Sequence, residues 1–154
     1  MTSPDPLNLP TKTALACIDD PEGLRLAVEH LSSIGYEVNT GISLEDLLYK
    51  MQANTYDILL IAENVGGSTL ETNPLLGETQ RIPAGQRLSQ VVILVGQSFT
   101  TADEAQAYQY SVDQVIGTAD LQNLRPLARR AVTRAEEFYG RYNEAIAAAD
   151  KAAT

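Results

Sequence analysis

The stretch Tyr56–Gly67, YDILLIAENVGG, decides how this chain folds. Its centre, DILLIA, is an uninterrupted apolar run of the kind shown by parallel strands that helices cover on both faces. A second such run, VVILV, spans Val91–Val95. The first run ends on Ala62 and passes into ENVGGST, so a side chain without a functional group stands where chemistry is expected. Between the runs, Glu63–Gln90 is long and punctuated: Asn73 and Pro74 open a short helix through LLGETQ, and Pro83 and Gly85 interrupt it.

Working outward, the flanks complete an alternating pattern. ALACI, Ala14–Ile18, is a short apolar strand, and Asp20 and Pro21 follow as N-cap and first helical residue. Leu24, Ala27, Val28, Leu31 and Ile34 recur at helical spacing, with Gly35 where a capping glycine belongs. Tyr36–Thr40 supplies a second strand, and Ser43 with Asp46 opens a helix carrying Leu44, Leu47, Leu48 and Met51 on one face. After VVILV, Thr101 or Asp103 caps a helix through DEAQAY, Val112–Ile116 makes a fifth strand, and Asp120 caps a last helix. Strands alternating with helices in this way predict a three-layer α/β sandwich around a mostly parallel sheet. The folded domain is expected over 13–134, between a flexible, proline-bearing arm at 1–12 and a helical extension at 135–154.

Composition narrows the function classes. At 154 residues and 44% hydrophobic, the chain is one domain's worth. Cys17 and His30 are the only cysteine and histidine, which excludes an internal disulfide and a Cys/His metal cage. The lone thiol, the lack of a long apolar run and a start without signal-peptide character predict a soluble cytoplasmic protein that engages no membrane. A formal net charge of −9 argues against direct nucleic-acid binding. ENVGGST lacks both the GK[ST] ending of a P-loop and the dinucleotide fingerprint, so no nucleotide cofactor is expected.

In order and spacing, ACIDDP, YDILLIAE, VVILVG and SVDQVIGTADLQNL resemble a response-regulator receiver domain. NPLLGETQRIPAGQR and EEFYGRYNEAI extend the resemblance to uncharacterised bacterial receiver-like proteins, some with a preceding zinc ribbon whose cysteines this chain lacks. The resemblance implies a five-stranded flavodoxin-like sheet in the order 2-1-3-4-5, with a crevice at the carboxyl ends of strands one and three. It implies that Asp19 and Asp20 match the family's acidic, magnesium-holding pair. Ala62 stands for the phosphoacceptor aspartate, Val95 or Gly96 for the hydroxyl residue after strand four, and Gly117 or Thr118 for the lysine after strand five. Two of the three parts that phosphoryl transfer to a carboxylate needs are thus missing. With Asp20 read as a helix cap and Asp19 as solvated, neither a metal site nor an enzyme is expected. Glu63, one position after Ala62, offers a carboxylate that would imitate a phosphorylated aspartate.

The last helix is the candidate interaction surface. Leu124, Ala128, Ala131, Ala135, Phe138, Tyr142, Ala145 and Ala149 repeat at alternating spacings of four and three, a heptad seam. Phe138, Tyr139 and Tyr142 are aromatic anchors of the sort enriched at interfaces. The predicted function is therefore a non-catalytic pseudo-receiver that binds a protein partner, or a second copy of itself, through this helix. An atypical receiver or small-ligand-binding domain using the crevice near Asp19, Asp20 and Glu63 is the alternative.

Overall fold

The computed structural model describes residues 11–153. Five strands form one parallel sheet in the order β2-β1-β3-β4-β5. They are β1 (Lys12–Cys17), β2 (Tyr36–Asn39), β3 (Ile58–Ala62), β4 (Val91–Gly96) and β5 (Gln114–Gly117). The helices are α1 (Pro21–Ser33), α2 (Leu44–Ala53), α3 (Pro74–Thr79), α4 (Ala84–Arg87), α5 (Glu104–Gln109) and α6 (Leu124–Ala153). The expected order and layering are found. Every residue of β3 and β4 is buried, so both faces of the central sheet are covered. α1 and α6 pack on each other, as do α2 and α3.

Two aspartates set the register at the sheet's N-terminal edge. Asp57 Oδ2 accepts from Thr13 N at 2.8 Å, and Asp113 Oδ2 accepts from Val92 N at 2.7 Å. Each carboxylate, just before one strand, satisfies an amide near the start of its neighbour. That placement lets the buried strands begin without orphaned donors.

Local boundaries follow the capping chemistry. Asp20 Oδ2 accepts from Gly23 N, Ser43 accepts from Asp46 N, and Asp103 caps α5 through Gln106 N. Gly35 ends α1 with φ +96°, a left-handed conformation that glycine adopts without steric cost. β1 runs Lys12–Cys17 where Ala14–Ile18 was expected, so Lys12 belongs to the sheet and not to the expected arm at 1–12, whose residues 1–10 lie outside the described residues. β5 begins at Gln114 because Val112 N bonds back to Ala107 O and stays in the turn.

His30 Nδ1 meets the start of α6, accepting from Arg125 N at 3.2 Å. Two expectations are corrected. Asp120 does not cap α6: a 3-10 segment at Thr118–Asn123 intervenes, and Asp120 instead accepts from the Thr101 hydroxyl. Leu124 and Ala128 are fully buried and Ala131 nearly so, so the first half of the seam is core of its own domain and unavailable to a partner. The geometric cause is that α6 runs down the sheet before leaving it, with Lys12 and Glu136 3.8 Å apart at the exit.

The Cys17 thiol is fully buried in β1, and burial, helped by the Asp19 charge, pushes its pKa far up. A thiolate is the reactive form, so Cys17 should resist iodoacetamide in the native protein. Labelling should appear only with global unfolding, and mass spectrometry across a urea series checks this.

Candidate functional site

A crevice of about 440 Å³ opens at the carboxyl ends of β1, β3 and β4. It is lined by Asp19, Asp20, Ala62, Glu63, Gly96 and Thr118, among others. The chain thus brings together the two acids after β1, the end of β3, the end of β4 and the residue after β5. Ala62 is 7% exposed and Val95 is 3% exposed, so both serve mainly as wall.

The acids at this crevice are already engaged. Asp19 Oδ2 accepts from Gly66 N at 2.6 Å, tying the loop after β1 to the 3-10 turn Val65–Gly67. Asp19 is therefore not simply solvated. Asp20 holds the first turn of α1 through Gly23 N at 2.8 Å. Glu63 Oε1 accepts from Ser98 N at 3.0 Å, and Glu63 N donates to Val95 O at 2.8 Å. The Glu63 side chain therefore lies across the end of β4. A Cβ built on Gly96 would fall 2.2 Å from Glu63 Oε1 and 2.4 Å from its Cγ. Glycine at 96 and the inward Glu63 are one arrangement: any larger residue at 96 would expel the carboxylate.

Gly117 has a different cause. A Cβ there would come within 2.9 Å of the Phe99 carbonyl oxygen, part of a backbone that cannot easily withdraw. Its amide donates to Thr101 Oγ1 at 2.9 Å, and that hydroxyl donates on to Asp120. The loop after β5 is thereby closed by a Thr101–Asp120 pair. Thr118, exposed at the rim, carries no cation. Among the described residues, no group of three or more His, Cys, Asp or Glu is placed to hold a metal ion.

Asn73 is the site residue that sequence reading missed, beyond its role in starting α3. It is 4% exposed, and its Nδ2 donates to Ala62 O at 3.0 Å and Glu63 O at 3.2 Å. Its Oδ1 accepts from Leu75 N and Leu76 N. One amide side chain therefore pins the end of β3 to the start of α3. The sequence signal was only Asn before Pro, which marks a cap and not its long-range partner.

At the opposite edge of the sheet, α6 leaves the domain. Phe138 is 60% exposed, Tyr142 43% and Ile146 46%, and Tyr139 is more covered. Of the residues expected to form the interaction surface, Phe138, Tyr139, Tyr142, Ala145 and Ala149 lie on accessible surface, Ala135 is half-buried at the exit, and Leu124, Ala128 and Ala131 are core.

Comparison with solved structures identifies this architecture. HP1043, an orphan response regulator of H. pylori, is 18% identical with a TM-score of 0.58, covering 79% of this chain and 97% of that one. The fold is that of a response-regulator receiver domain. The N-terminal domain of a response regulator/sensory box/GGDEF three-domain protein from Carboxydothermus hydrogenoformans is 16% identical, with a TM-score of 0.62, covering 83% of this chain and 99% of that one. A fusion carrying the trimeric coiled coil of yeast Spc42 is 17% identical with a TM-score of 0.61 and covers 94% of this chain and 98% of that one. No family model and no curated protein matches the chain. Against the receiver fold, the crevice stands where the resemblance put it, with its acids turned to internal amides. Among the described residues, no helix is long and apolar enough to cross a membrane.

Two substitutions test the construction of the crevice. Gly96→Ala should swing the Glu63 side chain outward and destabilise the domain by about 0.5–1.5 kcal/mol, the worth of the lost Ser98 hydrogen bond, and Glu63→Ala should remove most of that penalty in the double variant. Urea midpoints of the four species supply the coupling energy. Asn73→Ala, which removes a cap and leaves buried carbonyls unpaired, should cost about 2 kcal/mol and loosen β3's end, seen as faster amide exchange at Glu63 and Asn64.

Proposed function

We propose that this chain is a signalling module of receiver fold that works without phosphorylation and acts by binding protein through the exposed half of α6. The carrying observation is Glu63. Its carboxylate occupies the end of β4 and takes the Ser98 amide, next to an alanine at the acceptor position. An incoming phosphoryl group would find no nucleophile at residue 62. It would also meet a fixed negative charge and an amide already satisfied.

The remaining crevice acids support the same reading. Asp19 and Asp20 each accept a backbone amide, so the pair serves as a brace between β1, α1 and the turn after β3. The crevice then holds a permanently set loop arrangement rather than one that a modification resets. Recognition falls to the other edge of the sheet, where Phe138, Tyr139 and Tyr142 offer aromatic surface on a helix already anchored by Leu124, Ala128 and Ala131. A bacterial regulatory setting follows from the resemblance.

Incubation with magnesium and acetyl phosphate should leave the intact mass unchanged, and the oligomeric state with it. A stable gain of one phosphoryl group would overturn the proposal.

A further inference from the structure

Heptad position and domain geometry together restrict what the exposed half of α6 can hold. At 100° per residue, Leu124, Ala128, Ala131 and Ala135 share a face with Phe138, Tyr142, Ala145 and Ala149, flanked by Tyr139 and Ile146. The first part of that face is pressed on its own sheet. The second part looks over the space just past the sheet's N-terminal edge. A helix laid parallel and in register on the tail would run on into the volume of β1 and β4. A helix entering from the far end, and stopping at the edge, meets no such obstacle.

We infer that the occupant is a second copy of this chain, its α6 tail packed antiparallel on the first. This deepens the proposed interaction role and rests on it. Size complementarity along the face favours the second copy. The tail is bulky near its domain and small toward its end: Phe138, Tyr139 and Tyr142 precede Ala145, Ala149 and Ala152. Antiparallel pairing centred between Ala145 and Ile146 sets Tyr142 of one copy level with Ala149 of the other. It likewise sets Tyr139 level with Ala152 and Ile146 level with Ala145. Large side chains then meet small ones in a self-complementary two-fold interface. Parallel pairing would stack Tyr142 on its own copy and leave gaps between alanines.

One charge pair fits the same register: Asp150 of one copy lies level with Arg141 of the other. The end of each tail arrives at an open groove beside the exit of α6, lined by Lys12, Tyr36, Asp57, Val91, Val132 and Tyr139. The groove adds area to a tail contact that is short by itself.

The test uses the full chain with single spin labels at Glu137→Cys and Ala147→Cys, because Cys17 is buried and unreactive. Light scattering at rising concentration should give twice the chain mass. Inter-copy distances should be shorter at Ala147 than at Glu137 by roughly 15 Å, as follows from the 1.5 Å rise per residue and axes about 10 Å apart. Tyr142→Glu with Ile146→Glu should return the chain to a monomer with unchanged circular dichroism outside the tail. A monomer at every concentration, a trimer, or equal distances at the two sites would each overturn the antiparallel dimer. Those outcomes leave the phosphodonor result untouched, whereas phosphoryl uptake would overturn the reading beneath it.

Discussion

Burial of β3 and β4 on both faces is the constraint from which the rest of the molecule follows. A parallel sheet with no solvent-facing side needs helices on both faces, and each crossover must travel the length of the sheet to begin the next strand. The price at the strand starts is a row of amides without partners, which Asp57 and Asp113 meet from the neighbouring strands. At the strand ends, loops gather at one edge and create the crevice. α6, the last element, covers the sheet beside α1 and has helix to spare.

The crevice owes its shape to hydrogen bonds within the domain. Asp19, Asp20 and Glu63 remain acidic but each is directed at a backbone amide of the same domain. Gly96 makes the Glu63 arrangement sterically possible, and Asn73 holds the backbone carbonyls of Ala62 and Glu63 in place. Five residues scattered over the chain thus act as one brace.

Much of this was legible in the sequence, for identifiable reasons. Apolar runs, helix spacing and caps at Asp20, Ser43 and Asp103 are local signals, and the elements they predict are present. The crevice positions followed from the resemblance, since the loops after successive strands of such a sheet meet at one edge. Less legible was any residue whose partner is distant in sequence. Asn73 reads as a cap for Leu75 and Leu76, yet it also holds β3. Asp120 reads as a cap for the last helix, yet it pairs with Thr101. His30, in the last turn of α1, likewise meets the first turn of α6.

The sequence by itself determined the alternation of elements, the alanine at position 62 and the long heptad seam of the last helix, because each is a matter of residue type and spacing along one element. Only the tertiary structure decided how that seam is divided. Its first half is core because α6 must shield the sheet, and its second half is surface because the sheet ends near Glu136 while the helix continues. The same division explains Glu63. Its carboxylate turns toward Ser98 because Gly96, thirty-three positions later, leaves the space, and no pattern read along one strand contains that fact.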